Sequence, residues 1–419
     1  MDSNGSASLP DVGVAGYIGD VGVVRGELLA VDVPPGPIWV DITTWCWREG
    51  VAFLPLHHRL TDREKRAIVD RARPAALLRA SGESTWFADP GLVDERVGIV
   101  IATSGTAGTP RLVELSRDAV TAAVDGSSRA MSRGRRNRPN DPSAPWVCCL
   151  SPAHVGGLLV LLRGVLADAP VLVLDRFDVD RFAAEAPDGA RASLVPAMLH
   201  RLIEAGVDLS RFGDLLIGGD ALEPGLAAAA RDLGGTVISA YGLTETCGGV
   251  VYEGRPFSGT AIRVGDEDAV IEVRGPTLME DYRGDHAATG AAFTGDGWLR
   301  TGDLGRLDDG VLHVEGRQED LIRTGAEKVW PVEVEVALRD HPKVADVAVA
   351  GRADAEWGQR VVAFVVPRSI DDPPTLDELR EAAADRIARF KAPRDLVLVE
   401  ALPRTTSGKI RRTALSGLR

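Results

Sequence analysis

Short apolar runs alternate with stretches of helical periodicity from about residue 38 to about residue 322. This alternation restricts the fold more than any other feature, because each run suits a buried strand and each intervening stretch suits a covering helix. The candidate strands are residues 98–102, 146–150, 171–174, 215–217 and 237–239. Helical patterns occur between them, for example at 118–124 and 224–233. The sequence therefore predicts a layered α/β domain.

The final part of the chain has a different pattern. After residue 316 it predicts a helix at 333–338, strands at 344–349 and 361–366, and a helix at 376–390 that Pro393 ends. A chain of 419 residues also exceeds the size that one core usually supports. We therefore expect a large layered α/β domain at 1–316 and a small α+β domain at 317–419.

Composition excludes several classes of protein. The formal net charge of -13 would repel a phosphate backbone, so no nucleic-acid partner is expected. The most apolar stretch, 155–174, is interrupted by Arg163, Asp168 and Pro170, so it does not predict a membrane span. The four cysteines form no metal or disulfide pattern, and the N-terminus lacks a secretory signal. These features predict a cytoplasmic protein.

A loop rich in glycine and hydroxyl groups follows the strand at 98–102. Its residues are Thr103, Ser104, Gly105, Thr106, Ala107, Gly108, Thr109, Pro110 and Arg111. Glycines let a backbone turn around an anion, and hydroxyls and amides donate hydrogen bonds to phosphate oxygens. The loop is thus a candidate phosphate site, although the chain has no Walker A pattern. It is equally typical of a polar turn before a helix that begins near Ser116.

Two further loops end predicted strands. After the strand at 237–239, the Tyr241 ring can lie against a purine, the Thr244 hydroxyl can bond a phosphate, and the Glu245 carboxylate can hold magnesium. The strand at 215–217 is followed by Gly218, Gly219 and Asp220. A backbone without side chains at that point lets an adenine approach closely. Taken alone, each stretch is more typical of a loop that ends a strand.

Asp303 and Arg317 flank a charged turn at 308–310. A fixed aspartate can accept hydrogen bonds from both ribose hydroxyls, and an arginine one hairpin later can reach the ribose or the α-phosphate. The alternative is a β-hairpin with a charged turn and no ligand.

Lys409 lies in a glycine-containing loop at 403–412, close to the C-terminus. Only five of the 48 basic residues are lysine, so a lysine at this position is informative. A slim ammonium on a flexible loop suits the neutralisation of charge on a pentavalent α-phosphate. The alternative is a solvated basic tail.

Residues 125–145 are rich in Ser, Gly, Pro, Asn and Arg. This composition predicts a solvated loop, with an anion-binding lid as the alternative.

Four motifs carry a resemblance: the loop at 103–111, the loop at 241–245 with the stretch 218–220 before it, the pair Asp303 and Arg317, and the loop at 403–412. In their order and spacing they resemble those of the adenylate-forming superfamily of acyl-CoA synthetases, peptide-synthetase adenylation domains and luciferases. The resemblance runs from about residue 39 to the C-terminus. It implies a large domain that binds ATP and an acid, and a small C-terminal domain that swings on a hinge between two half-reactions. It also implies ATP, Mg2+ and, for a synthetase, CoA as cofactors.

The resemblance assigns roles in the large domain by position. The loop residues Thr103, Ser104, Gly105, Thr106 and Gly108 would hold the β- and γ-phosphates. The stretch 218–220 and Tyr241 would lie against adenine, Thr244 would contact the α-phosphate, and Glu245 would hold magnesium.

The remaining roles fall on the C-terminal part. Asp303 and Arg317 would bind the ribose, and Lys409 would bridge the acid's carboxylate and the α-phosphate. Glu319 stands at the hinge position, where the superfamily more usually has aspartate or lysine. Two departures affect the phosphate loop: Ala107 replaces a threonine or serine, and Arg111 replaces a lysine.

Within the superfamily, the sequence is most similar to o-succinylbenzoate CoA ligases of menaquinone biosynthesis. They share the short N-terminal half and stretches like 152–158 and 241–247. This similarity would place His154 where the acid's carboxylate enters, whereas a lone histidine is more often structural.

The leading hypothesis is therefore an ATP-dependent ligase that adenylates a small aromatic acid and transfers the acyl group to CoA. One alternative keeps the adenylation with another acceptor or oxyanion, either loading a carrier protein or activating nitrite for an arylamine as diazotases do. A second alternative is a non-catalytic nucleotide-binding module.

Overall fold

The computed structural model describes residues 22–103, 110–132, 141–325, 327–384, 386–404, 410–415 and 417–418. They form two compact units. The first contains the residues up to Ile262 together with Val273–Leu299, and the second contains Arg263–Glu272 and the residues from Arg300 onward. The expected domain boundary between residues 316 and 317 remains a prediction.

The first sheet of the first unit has the strand order β16-β6-β5-β2-β1-β3-β4. Its strands are β1 Leu28–Asp32, β2 Ala52–Pro55, β3 Ala76–Arg79, β4 Ser84–Trp86, β5 Val97–Thr103, β6 Arg111–Ser116 and β16 Asp281–Tyr282. The central strands β5, β2, β1 and β3 are parallel, and the strands outside them are antiparallel. β1 and β2 are almost wholly buried, as expected for parallel strands covered on both faces.

The second sheet has the order β13-β12-β11-β10-β9-β7-β8. Its strands are β7 Trp146–Cys148, β8 Val171–Val173, β9 Arg191–Leu194, β10 Asp214–Gly218, β11 Thr236–Leu243, β12 Gly248–Tyr252 and β13 Arg255–Pro256. The strands from β8 to β11 run parallel, and β12 returns antiparallel to β11. The carboxyl ends of the parallel strands therefore share one edge, where ligands bind in α/β sheets.

Helices cover the two sheets of the first unit. They are α1 Ile38–Glu49, α2 Asp62–Ala72, α3 Arg117–Ser132, α4 Val155–Ala167, α5 Val179–Glu185, α6 Pro196–Glu204, α7 Pro224–Asp232 and α8 His286–Ala292, with 3-10 helices at Leu209–Arg211 and Thr244–Thr246. The apolar α4 is buried along most of its length and packs on the second sheet and on α1 and α3. No helix among the described residues has the length and apolar character needed to cross a bilayer.

The second unit contains most of a four-stranded sheet and a five-stranded sheet. The four-stranded sheet, in the order β14-β15-β17-β18, contains β14 Ala261–Val264, β15 Val270–Arg274, β17 Leu299–Asp308 and β18 Val311–Arg317. The five-stranded sheet contains β19 Ile322–Thr324, β20 Glu327–Val329, β21 Val344–Asp354, β22 Gly358–Pro367 and β23 Asp395–Leu398. The helices are α9 Pro331–Arg339, α10 Leu376–Ala384 and α11 Arg412–Leu415, with 3-10 helices at Gln318–Asp320 and Arg389–Lys391.

The α/β fold class is confirmed, and every predicted strand is present. The four cysteines are free, buried thiols. Two local predictions need correction. Residues 125–132 form the second half of α3, because Ser127 and Met131 continue the buried stripe of Ala123 and Val124 at helical spacing.

The helix expected near Ser116 begins at Arg117, as predicted, but the strand β6 lies between the candidate phosphate loop and that helix. The second correction concerns the helix predicted at 376–390. It ends at Ala384, because the backbone N–H groups of Arg386 and Ile387 both bond the Ala383 carbonyl and close the last turn.

Candidate active site

The stretch Gly218, Gly219 and Asp220 lies beside Tyr241 at the carboxyl ends of β10 and β11. Gly218 pairs with Ala240 in the parallel ladder, so the stretch 218–220 and Tyr241 are neighbours. Gly219 has a φ of 82°, a backbone conformation that favours glycine. The half-buried Tyr241 ring thus lies next to exposed backbone that a flat base can approach.

Glu245 lies in the 3-10 helix Thr244–Thr246, directly after β11. The chain then reverses into β12, and this reversal requires glycine at 242, where a Cβ would lie 1.9 Å from the Gly248 carbonyl oxygen. Buried Thr246 fixes the turn, since its Oγ1 accepts from Leu243 N–H at 2.8 Å and donates to the Gly248 carbonyl at 2.8 Å. The half-buried side chains of Thr244 and Glu245 are thus held on a rigid turn.

Tyr282 binds the Glu245 carboxylate. Its hydroxyl donates to Oε1 at 2.8 Å, and the Glu245 carbonyl accepts from the backbone N–H of Met279 at 2.8 Å. Burial, followed by the charge of Glu245, raises the pKa of Tyr282, so the hydroxyl stays protonated and donates at neutral pH. Within the described ranges, no cationic side chain forms an ion pair with Glu245.

The described residues contain no group of three or more histidine, cysteine or acidic side chains arranged to hold a metal. A magnesium ion that comes with a nucleotide does not need such a group, because it usually takes one or two carboxylates together with phosphate oxygens and water. Glu245, with one oxygen bonded to a neutral hydroxyl, fits that requirement.

Thr103 is the last residue of β5 and faces Arg111 across the base of the candidate phosphate loop. Its Oγ1 donates to the Arg111 carbonyl at 3.4 Å, which closes the base of the loop. The predicted phosphate ligands Ser104, Gly105, Thr106 and Gly108 lie outside the described residues.

His154 is the N-cap of α4 and is part of a group of three histidines. The rings of His57 and His154 are 5.2 Å apart, and His58 stacks on His57 at 4.9 Å. The His57 Nδ1 accepts from Arg59 N–H at 3.2 Å, so the neutral ring carries its proton on Nε2. Burial, helped by the neighbouring His154, lowers the pKa of His57 to about 4.

In the second unit, Asp303 and Arg317 face each other across the β17–β18 ladder. The Arg317 Nε lies 2.8 Å from Asp303 Oδ1 in an ion pair, and the Arg317 Nη1 donates to the Thr301 carbonyl at 3.3 Å. Asp303 is only 5% exposed. The structure therefore brings together the two residues that the sequence predicts as ribose ligands.

Comparisons with known proteins show the family of this chain. The family described as "AMP-binding enzyme" matches residues 88–283, and the "AMP-binding enzyme C-terminal domain" matches residues 333–409. A probable 2-succinylbenzoate–CoA ligase of Mycobacterium tuberculosis is 37% identical over 340 residues, which are 77% of this chain and 85% of that protein. This chain belongs to the AMP-binding enzyme family.

Two other members of the family extend the comparison. The indoleacetate–CoA ligase of Aromatoleum aromaticum is 33% identical over 80% of this chain and 70% of that protein. The O-succinylbenzoate coenzyme A synthetase (MenE) of Bacillus subtilis, solved in complex with ATP and magnesium ion, has a TM-score of 0.82 and 25% identity. That match covers 96% of this chain and 92% of the solved one.

The two family matches cover the predicted site unequally. The first includes Thr103, His154, the stretch 218–220, Tyr241 and Glu245, whereas Asp303 and Arg317 lie between the two matches. Lys409 is the last residue of the second match and lies outside the described residues. The sequence did not predict Tyr282, Thr246 or the pair His57 and His58 as site residues. Only the histidine pair has a local signal, since it follows a buried strand closely.

Proposed function

We propose that the protein is an ATP-dependent ligase that converts a small aromatic carboxylic acid into an acyl adenylate and transfers the acyl group to CoA. Family membership supports the adenylation, and relatives named as CoA ligases for succinylbenzoate and indoleacetate support the acid class and the acceptor. The observation that carries the proposal is the placement of Glu245. Its carboxylate is fixed by a neutral donor on a turn beside Tyr241, at the ligand-binding edge of a parallel sheet.

In the first half-reaction, a carboxylate oxygen of the acid attacks the α-phosphorus of ATP and pyrophosphate leaves. Tyr241 and the stretch 218–220 bind the adenine, and Asp303 and Arg317 bind the ribose. Thr244 orients the α-phosphate, and Lys409 neutralises the charge that develops on it. Glu245 would hold magnesium, which neutralises phosphate charge when it is bound.

In the second half-reaction, the CoA sulfur attacks the acyl carbonyl carbon, and AMP leaves with the bonding electrons of the carbon–oxygen bond. His154 is assigned to the carboxylate end of the acid. The thiol loses its proton as the thioester forms. The net charge of -13 still predicts that no nucleic acid takes part.

A pyrophosphate-release screen over aryl and alkyl acids, run with and without CoA, tests this function. We expect pyrophosphate with small aromatic acids and an acyl-CoA product only when CoA is present. AMP formation that is the same with and without CoA would favour another acceptor. No pyrophosphate with any acid would favour a non-catalytic nucleotide-binding module.

Lys409→Ala tests the assigned catalytic lysine, and Lys343→Ala is the matched control. Lys343 is another lysine of the second unit, paired with Asp372 and Glu378. We expect Lys409→Ala to reduce adenylation by about 100- to 1,000-fold or more while the protein stays folded. Lys343→Ala should stay close to the wild type, because exposed ion pairs contribute little. A wild-type rate in Lys409→Ala would remove the catalytic assignment.

A further inference from the structure

Tyr282 connects two motifs that the sequence treats as separate. It lies in the edge strand β16, where it pairs with Val113 of β6, the strand that begins at Arg111 directly after the phosphate loop. Its hydroxyl reaches across to Glu245, 37 residues away in the chain. The backbone of the same segment bonds the Glu245 carbonyl through Met279 N–H. Both the main chain and the side chain of Glu245 are therefore held by residues 279–282.

The environment of Tyr282 makes this hydrogen bond firm. The residue is 4% exposed, so water competes weakly for its hydroxyl. The Arg111 guanidinium lies 5.1 Å from the centroid of the Tyr282 ring, which helps to hold the ring in place. A glutamate left without such a partner would lose side-chain entropy when it bound an ion, and this donor removes part of that cost beforehand.

The identity of the donor also matters. A lysine or arginine in its place would orient Glu245 equally well but would neutralise the carboxylate that a cation needs. A phenol hydroxyl orients one oxygen and leaves the negative charge in place. The other oxygen, Oε2, has no hydrogen bond to a described residue.

We propose that Tyr282 is a positioning residue for magnesium binding: it holds the Glu245 carboxylate in the orientation in which its second oxygen takes the ion of the Mg–ATP complex. The inference rests on the proposed function, and it adds a residue that acts only through Glu245. Its role is therefore visible in the metal dependence of nucleotide binding, before any chemistry occurs.

The test compares Tyr282→Phe with Tyr252→Phe. Both changes remove one hydroxyl from a buried tyrosine of the first unit, and the Tyr252 hydroxyl bonds Ser127 at 2.8 Å. Calorimetry with α,β-methylene-ATP over a series of Mg2+ concentrations, and in EDTA, measures binding without turnover. Thermal denaturation confirms that both variants are folded.

We expect Tyr282→Phe to raise the Mg2+ concentration at half-maximal effect by about tenfold, the lower end for loss of a group that orients a metal ligand. Binding in EDTA should not change, and Tyr252→Phe should follow the wild type in both conditions. In a Glu245→Gln background, Tyr282→Phe should have no further effect.

Two results separate the possible failures. If Tyr282→Phe is folded and its Mg2+ dependence matches that of the wild type, the positioning role is wrong although the ligase function can stand. If the wild type itself binds the nucleotide no better with Mg2+ than in EDTA, the proposed function fails as well. If Tyr282→Phe does not fold, the same titration is carried out on Tyr282→His, which keeps a ring and a hydrogen-bond donor, and on Tyr282→Leu, which keeps neither. The positioning role is supported only if Tyr282→His has the Mg2+ dependence of the wild type and Tyr282→Leu has a weaker one.

Discussion

Glu245 in the first unit and Asp303 in the second are both acidic residues predicted to bind ATP, yet their partners differ. The Glu245 carboxylate accepts a hydrogen bond from a neutral tyrosine hydroxyl, and no cation among the described residues pairs with it. Asp303 is buried in a hairpin and forms an ion pair with Arg317 at 2.8 Å. The first carboxylate keeps its charge available, whereas the charge of the second is already balanced.

The partner of each carboxylate indicates the ligand that it suits. An uncompensated carboxylate attracts a divalent cation, and a balanced one disfavours it but still accepts hydrogen bonds from neutral hydroxyls. The difference thus agrees with magnesium at Glu245 and ribose at Asp303. It also predicts that the matching amide substitutions at the two positions have different consequences.

Glu245→Gln should have the larger effect. The amide oxygen can still accept from Tyr282, so the turn is preserved while the charge is lost. We expect pyrophosphate release to fall by about 100- to 1,000-fold, with loss of the Mg2+-dependent gain in ATP affinity. Pyrophosphate assays and calorimetry measure the two effects. Glu253→Gln, an exposed glutamate that follows β12, is the control. An unchanged Mg2+ dependence in Glu245→Gln would contradict the assignment of magnesium to Glu245, and with it the difference between the two carboxylates.

Asp303→Asn should have a smaller effect of a different kind. Loss of a charged acceptor should weaken ATP binding by about 10- to 100-fold without changing its Mg2+ dependence. The wild type should prefer ATP to 2′-deoxy-ATP, and the variant should lose most of that preference. Calorimetry with both nucleotides measures it, and Asp308→Asn at the exposed turn of the same hairpin is the control. If Asp303→Asn keeps the full preference for ATP, the ribose assignment is wrong.

The two carboxylates also differ in how far the sequence predicts their surroundings. Asp303 and Arg317 lie on one hairpin with Asp309 and Gly310 at its turn, where positive φ values favour a tight connection. The pairing is local, so the spacing and turn residues are enough to predict it. Tyr282 contacts Glu245 through a strand pairing between distant segments, and no local pattern encodes that contact.

The predictions of secondary structure are likewise wrong where contacts between distant segments decide the local structure. Strand β10 is an almost wholly buried apolar run, and the part of β11 at 237–239 begins with the apolar pair Val237 and Ile238, so the sequence makes both strands recognisable. The stretch 125–132 contains one glycine and three serines, which disfavour a helix in isolation. It forms one because Ser127 and Met131 are buried on the same stripe as Ala123 and Val124, and the Phe257 ring occupies the space that a Cβ at Gly126 would need, 2.4 Å from a ring carbon. That contact becomes visible only in the folded chain.

The protonation state of His57 shows whether a neutral group also lies beside His154, another predicted site residue of the first unit. Its pKa is lowered from 6.5 to about 4, so the ring beside His154 should be neutral at pH 7. In histidine-labelled protein, we expect one of the seven histidine NMR resonances to titrate near pH 4 and to be absent in His57→Gln. The control is His200→Gln, which removes an exposed histidine paired with Glu204 on α6; the resonance near pH 4 should persist in that variant.

The lowered pKa of His57 also fixes the sign of a stability effect. Between about pH 6.5 and 4, the unfolded chain takes up a proton at this position and the folded chain does not. Its contribution to the free energy of unfolding is therefore complete above pH 6.5 and is lost as the pH falls through this window, by at most about 1.4 kcal/mol per pH unit. Denaturation midpoints should fall less steeply with acid in His57→Gln than in the wild type or His200→Gln. Equal slopes in all three proteins would mean that the pKa of His57 is the same in the folded and unfolded chains, which contradicts the prediction.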